Sequence, residues 1–353
     1  MNENKEKIEK LNTILERFKE NKSIIYFLTY DTKNNARASV KYIYDLAKTL
    51  NENSIKAKLL VEDKTYTGVS GWLGDEYNDI EIVSMKDDKI TINLDDMVVV
   101  PEYYTNSLEQ LAGINCIKVM LIQQRSYIFE NLQLGQKWSN YGFDMVITTT
   151  ESTKKYILDY FPESLVFIIP PIISDIFKKS DKPQKPFIAI SCRDRIKHKK
   201  IISEFYLKYP QLRWVNFKDM VQLTYEEFAN SLKECMVSVW VDEDSTFGTF
   251  PLESMKCEVP VIGKIPNIEP DWLNENGIWT YDVEKITELL GTYVLANIDG
   301  AEITDEVKQK FKDTLLPYDE NITKNSITSI FTTLRNKRIE SINILIQNLT
   351  KEK

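Results

Sequence analysis

Twice along this chain, short apolar runs alternate with segments of helical periodicity. Between the two stretches lies a polar, proline-rich break, Lys178-Lys-Ser-Asp-Lys-Pro-Gln-Lys-Pro186. A continuous apolar run of strand length belongs to a strand buried on both faces, and parallel strands need a crossover, usually a helix, between them. The pattern therefore predicts an α/β chain made of two doubly wound sheets. A length of 353 residues suits two such domains.

In the first half, Ile8, Leu11, Ile14, Leu15 and Phe18 mark an amphipathic helix over 4–20. A strand over 24–30, a helix carrying Val40, Ile43, Leu46, Ala47 and Leu50, and a strand over 57–61 follow. Further strands are expected at 97–100, 119–122, 145–148 and 166–169. After the break come strands at 187–191, 213–217, 237–241 and 259–262, with helices at 201–209 and 252–257. Thr224 and Glu227 have capping-box spacing and open another helix, running to Cys235. Residues 282–296, 303–315 and 322–349 read as helical. The expected division is 1–178, 179–320 and a C-terminal helical segment, 321–353. Ligands of such sheets lie beyond the carboxyl ends of the strands, which draws attention to the loops 30–36, 101–106, 123–127 and 149–153.

Composition removes several classes. A single histidine, His198, excludes a multi-histidine metal centre. Four scattered cysteines, Cys116, Cys192, Cys235 and Cys257, read as buried reduced thiols. A net charge of −8 gives no global attraction to phosphate. The N-terminal residues are charged, and no apolar run approaches the roughly 18–20 residues that span a bilayer. The expectation is a cytoplasmic protein.

The stretch from Val237 to Gly263 carries the clearest chemistry. It reads as buried strand, glycine turn, helix start and second buried strand. Such a turn aims backbone N–H groups and the positive end of a helix dipole at an anion. Glu253, one turn into the helix, can accept hydrogen bonds from vicinal sugar hydroxyls. A nucleoside diphosphate fits both features.

Within it, Phe247-Gly248-Thr249-Phe250-Pro251-Leu252-Glu253-Ser254-Met255, followed by Cys257-Glu258-Val259-Pro260-Val261-Ile262, resembles the donor-binding segment of retaining GT-B glycosyltransferases of the family-4 type. Ser245 stands where that family has a first glutamate. The resemblance implies two Rossmann-like domains facing a central cleft, with the C-terminal helix crossing back to the first. It also implies a UDP- or GDP-linked sugar as co-substrate, with no metal and no further cofactor, and a donor set of Ser245, Thr246, Phe247, Gly248, Thr249, Phe250 and Glu253. The family places an arginine and a lysine on the donor diphosphate. Here strict spacing from Arg193 lands on His198, with Lys197 and Lys199 on either side, and from Arg195 it lands on Lys200; Arg193 is the first choice, with Lys197 or Lys199 second. Asp242 and Asp244 imitate a metal-binding pair, but late in the chain.

The acceptor candidates are loop residues of the first half: Asn34, Asn35, Tyr103, Tyr104, Gln124 and Arg125. Trp72, Tyr77, Trp138 and Tyr141 are further aromatics in expected loops, where core packing competes with sugar stacking. The acceptor is expected to be a glycan or small molecule. A hydroxymethylated DNA base is an alternative, as is an inactive domain used for binding, which Ser245 suggests.

Overall fold

A computed structural model describes residues 2–351 except 88, 105, 106, 131, 180–183 and 299–302. Residues 180–183 of the proline-rich break and 105–106 of the 101–106 loop thus lie outside the described residues.

The first sheet is built from β1 (Ile25–Leu28), β2 (Ala57–Val61), β3 (Ile82–Ser84), β4 (Met97–Pro101), β5 (Ile117–Ile122), β6 (Met145–Thr148) and β7 (Leu165–Ile168). Its strand order is β3-β2-β1-β4-β5-β6-β7, and every pairing is parallel. α1 (Asn2–Lys19) precedes β1, α2 (Ala38–Glu52) links β1 to β2, α3 (Ser107–Ala112) precedes β5, and α4 (Glu151–Tyr160) joins β6 to β7. β4 and β5 are buried along their whole length, as continuous apolar runs require. Alternate residues feed two cores. Phe27, Leu59, Val99, Val119 and Leu121 face one side, with α1 and α2 residues. Leu28, Val98, Val100, Met120 and Ile122 face the other, with Trp138, Phe143 and Ile157.

The second sheet uses β8 (Lys185–Cys192), β9 (Asn216–Asp219), β10 (Cys235–Val241), β11 (Val261–Lys264) and β12 (Ile278–Thr280) in the order β12-β11-β10-β8-β9, again all parallel. Its helices are α5 (Arg195–Lys208), α6 (Tyr225–Glu234), α7 (Thr249–Lys256), α8 (Ile286–Ala296) and α9 (Asp305–Leu315). The last helix, α10 (Glu320–Lys351), returns to the first sheet. Its Ile327, Phe331, Leu334 and Ile342 are buried in the first core, and the Phe331 ring meets Phe27 edge-on at 5.7 Å. No described helix is long and apolar enough to cross a membrane.

Several elements differ from expectation. α5 starts at Arg195 rather than 201, because the Asp194 side chain caps it by accepting from the Ile196 and Lys197 N–H groups. β9 covers 216–219 rather than 213–217. Leu212 and Val215 are buried in the preceding turn, so their apolarity marks packing and not a strand. β3 and β12, three residues each at sheet edges, carry no apolar alternation long enough to read.

Candidate active site

Each sheet has one point where strand order reverses. In the second it falls between β8 and β10. Register sets Cys192 beside Val241 and Trp240 beside Gly263, so the residues just beyond three strands converge there. Arg193 Nε lies 3.1 Å from Asp242 Oδ2. Lys197 Nζ lies 2.6 Å from Glu243 Oε2, and Lys264 Nζ lies 3.2 Å from its other oxygen. Three cations, from the β8–α5 turn, α5 and β11, thus gather at the carboxyl ends of the strands. The hydrogen bond from Lys197 holds the Glu243 carboxyl below its ordinary range, whereas burial raises that of Asp242 despite Arg193. Asp242, the first member of the metal-like pair, is therefore engaged by a guanidinium. Lys199 is exposed on the same helix turn.

Beside these cations the chain turns sharply into α7. Gly248 has φ +70°, a left-handed conformation, and a Cβ there would lie 2.5 Å from Trp240 Cζ2. Both facts demand glycine. The Phe247 carbonyl accepts from Trp272 Nε1 at 2.6 Å, which fixes the turn against a cluster of Trp240, Trp272 and Trp279. Ser245, Thr246, Phe247 and Phe250 are buried, while Thr249 is half-buried at the helix start.

Glu253 lies one turn further on and is 5% exposed. Burial pushes its carboxyl up to about 7, against the opposing effects of Lys41 and a hydrogen bond from Thr249. Lys41 belongs to α2 of the first half, where its Nζ pairs with Asp45 Oδ2 at 2.6 Å. Tyr77 donates to the other Asp45 oxygen at 2.7 Å. Glu253, expected to meet a ribose, also feels the charges of a buried ion pair of the other half. Lys41 and Asp45 escape a sequence reading because an i,i+4 pair on a helix has the pattern of an exposed one.

The first sheet reverses between β1 and β4. Tyr30, beyond β1, meets Tyr103, beyond β4, edge to face at 5.2 Å, and Tyr104 lies 5.3 Å from Tyr103. Tyr103 and Tyr104 are both half-buried. Gln124 and Arg125, beyond β5, reach the turn that leads into α7. Gln124 Oε1 accepts from Thr246 N at 3.1 Å, and Arg125 N donates to Thr246 Oγ1 at 3.0 Å. Asn34 and Asn35 are exposed and engage their own half: Asn35 donates to the Thr32 carbonyl at 3.0 Å, and Asn34 lies against Gly71. Trp72, Tyr77 and Trp138 are core residues. A cavity lined by Pro260, Asn276, Tyr293 and Phe311 lies behind β11 and includes none of the residues above.

No family model matches the chain. An alpha-1,6-glucosyltransferase of Actinobacillus pleuropneumoniae serotype 7 (strain AP76) is 23% identical over 265 residues, covering 71% of this chain and 78% of the relative. Anabaena Alr3699/HepE in complex with UDP-glucose superposes with a TM-score of 0.63 at 12% identity, covering 88% of this chain and 99% of that one. Sucrose-phosphate synthase (tll1590) from Thermosynechococcus elongatus gives 0.60 at 12% identity, with coverage of 88% and 99%. The pneumococcal O-GlcNAc transferase GtfA, in complex with UDP and GlcNAc, gives 0.52 at 10% identity, with coverage of 93% and 99%. The chain has the GT-B fold of these structures. Fold and relative agree on one class of enzyme, the glycosyltransferases.

Proposed function

We propose that this chain transfers a hexose from a UDP-linked donor to an acceptor hydroxyl, with retention of configuration and without a metal. Residues 179–320 bind the donor, 1–178 bind the acceptor, and 321–353 tie the halves together. The observation that carries this reading is the gathering of Arg193, Lys197 and Lys264 beside the glycine turn into α7. A leaving nucleoside diphosphate gains negative charge, and fixed cations with a helix N-terminus stabilise it. Asp242 and Glu243 hold the cations in place, so little reorganisation is needed when phosphate oxygens arrive. UDP as the nucleotide and glucose as the sugar are favoured by the UDP-glucose complex of HepE and by the name of the relative.

In retaining transfer the acceptor oxygen bonds to the anomeric carbon on the face the diphosphate leaves. The acceptor proton passes to the departing phosphate oxygen. That step asks the protein for position and charge rather than for a nucleophile. The acceptor lies beyond β1, β4 and β5, where Tyr103, Tyr104, Gln124 and Arg125 stand; a glycan hydroxyl suits these aromatic and amide groups.

The test is UDP release from UDP-glucose in EDTA, with product anomer followed by NMR. Turnover that survives EDTA and gives the α-anomer supports the reading; an absolute requirement for Mn²⁺ or an inverted product overturns its mechanism. Arg193→Ala should weaken UDP binding by about 1.5–3 kcal/mol, the value of a charge-assisted hydrogen bond. Calorimetry showing unchanged affinity would remove Arg193 from the site.

A further inference from the structure

Glu102 has no part in the donor chemistry above, yet it is one of the most deeply buried acidic residues of the protein, 1% exposed. It is the first residue past β4, beside the reversal point of the first sheet. Its Oε1 accepts from Gln123 N at 3.1 Å and from Gln124 N at 2.8 Å. A buried carboxyl is costly unless hydrogen-bonded, so these two bonds fix carboxyl and loop together. The loop it fixes carries the contacts that cross between halves. Gln124 and Arg125 hold Thr246, two residues before the Gly248 turn. Among the described residues Oε2 has no hydrogen-bond donor. The titratable groups that sense Glu102 are Tyr103 and Tyr42. Tyr42 is already committed, donating to the Ile169 carbonyl at 2.6 Å, and the buried Tyr103 hydroxyl has no partner among the described residues.

We infer that Glu102 is a positioning residue that ties the acceptor half to the donor turn: it sets the segment 123–125, which holds Thr246 through the Gln124 side-chain oxygen and the Arg125 backbone N–H. The kinetic consequence rests on the sugar-transfer reading; the tie itself does not. Loss of the carboxyl should release both ends of the relay together, with the donor turn losing its hold from the first half while its own cations stay in place.

The experiment is amide hydrogen exchange at Gln124 and Thr246, with UDP-glucose turnover, in the full chain and in Glu102→Leu, Glu102→Gln, Thr246→Val and the Glu102→Leu/Thr246→Val double variant. Glu102→Leu should speed exchange at both amides and lower kcat by about tenfold, with the KM for UDP-glucose within about twofold. Glu102→Gln keeps a carbonyl oxygen for the same two N–H groups and should stay within about threefold of the parent. The double variant should turn over no more slowly than Glu102→Leu, since both changes cut one relay. Unchanged exchange at Thr246 in Glu102→Leu, or multiplying kinetic effects, overturns the inference. If Glu102→Leu fails to fold, Glu102→Gln decides: protection at Gln124 and Thr246 must be kept or lost in step, and loss at one alone overturns it. A parent protein that turns over no nucleotide sugar would defeat the proposed function, while the exchange data would still judge Glu102.

Discussion

Glu253 shows how a residue's setting adds a property that its sequence position does not suggest. A glutamate one turn into a helix, after a glycine turn, reads as a sugar ligand. Burial pushes its carboxyl up to about 7 despite the opposing charge of Lys41. A folded-state pKa raised from 4.5 means the native protein holds the proton more tightly than the unfolded chain. The stability linked to it is fully present below pH 4.5 and is lost as pH rises through about 7. Glu253→Gln removes this term, so the parent should lose on the order of 3 kcal/mol relative to the variant between pH 4.5 and 8. Urea unfolding of both across that range measures it; parallel stability curves would show that Glu253 is not held near neutrality. At Gly248, alanine would combine a left-handed φ with a contact on Trp240. Gly248→Ala should cost about 1–3 kcal/mol and weaken UDP binding as the turn shifts. A variant as stable as the parent would refute the close approach.

Among the elements, those that the sequence made legible share one property: a local pattern that tertiary contacts do not override. β2 and β6 match their apolar runs at both ends, and the Thr224–Glu227 capping box forms with both reciprocal bonds. The start of α5 is less legible because apolar periodicity begins only at Ile201; the Asp194 cap, a local signal, starts the helix at Arg195. That shift matters for the site. Lys197, on a helix, is pinned toward Glu243, while Lys199 points to a more exposed position. Lys197→Ala should therefore weaken UDP binding by about 1.5–3 kcal/mol and Lys199→Ala by far less. Equal losses in a titration would contradict the assignment. Glu102 was missed although a charged residue directly follows a wholly apolar strand; its partners, the Gln123 and Gln124 amides, come from the loop beyond a neighbouring strand and leave no sequence trace.

For the molecule as a whole, two-sheet architecture and the return of the C-terminal helix follow from the alternation and from the family resemblance together. The packing of the two halves on each other does not. It depends on Lys41 facing Glu253, on Gln124 and Arg125 holding Thr246, and on Tyr225 donating its backbone N–H to the Trp72 carbonyl at 2.7 Å. Each of these joins residues more than a hundred positions apart. α10 completes the first core from the far end of the chain, with Phe331 fully buried. Phe331→Ala should cost about 3–5 kcal/mol, the price of a phenyl-sized cavity. Denaturant unfolding that shows less than 1 kcal/mol would mean the helix is not part of that core.

A crystal structure of the protein soaked with UDP tests the donor site most directly. The diphosphate is expected at the carboxyl edge of β8 and β10, within hydrogen-bond reach of Arg193 and Lys197 and of the backbone N–H groups that start α7. UDP bound instead at the carboxyl edge of the first sheet, or absent at a concentration that saturates the protein in calorimetry, would contradict the assignment of the second half as the donor site.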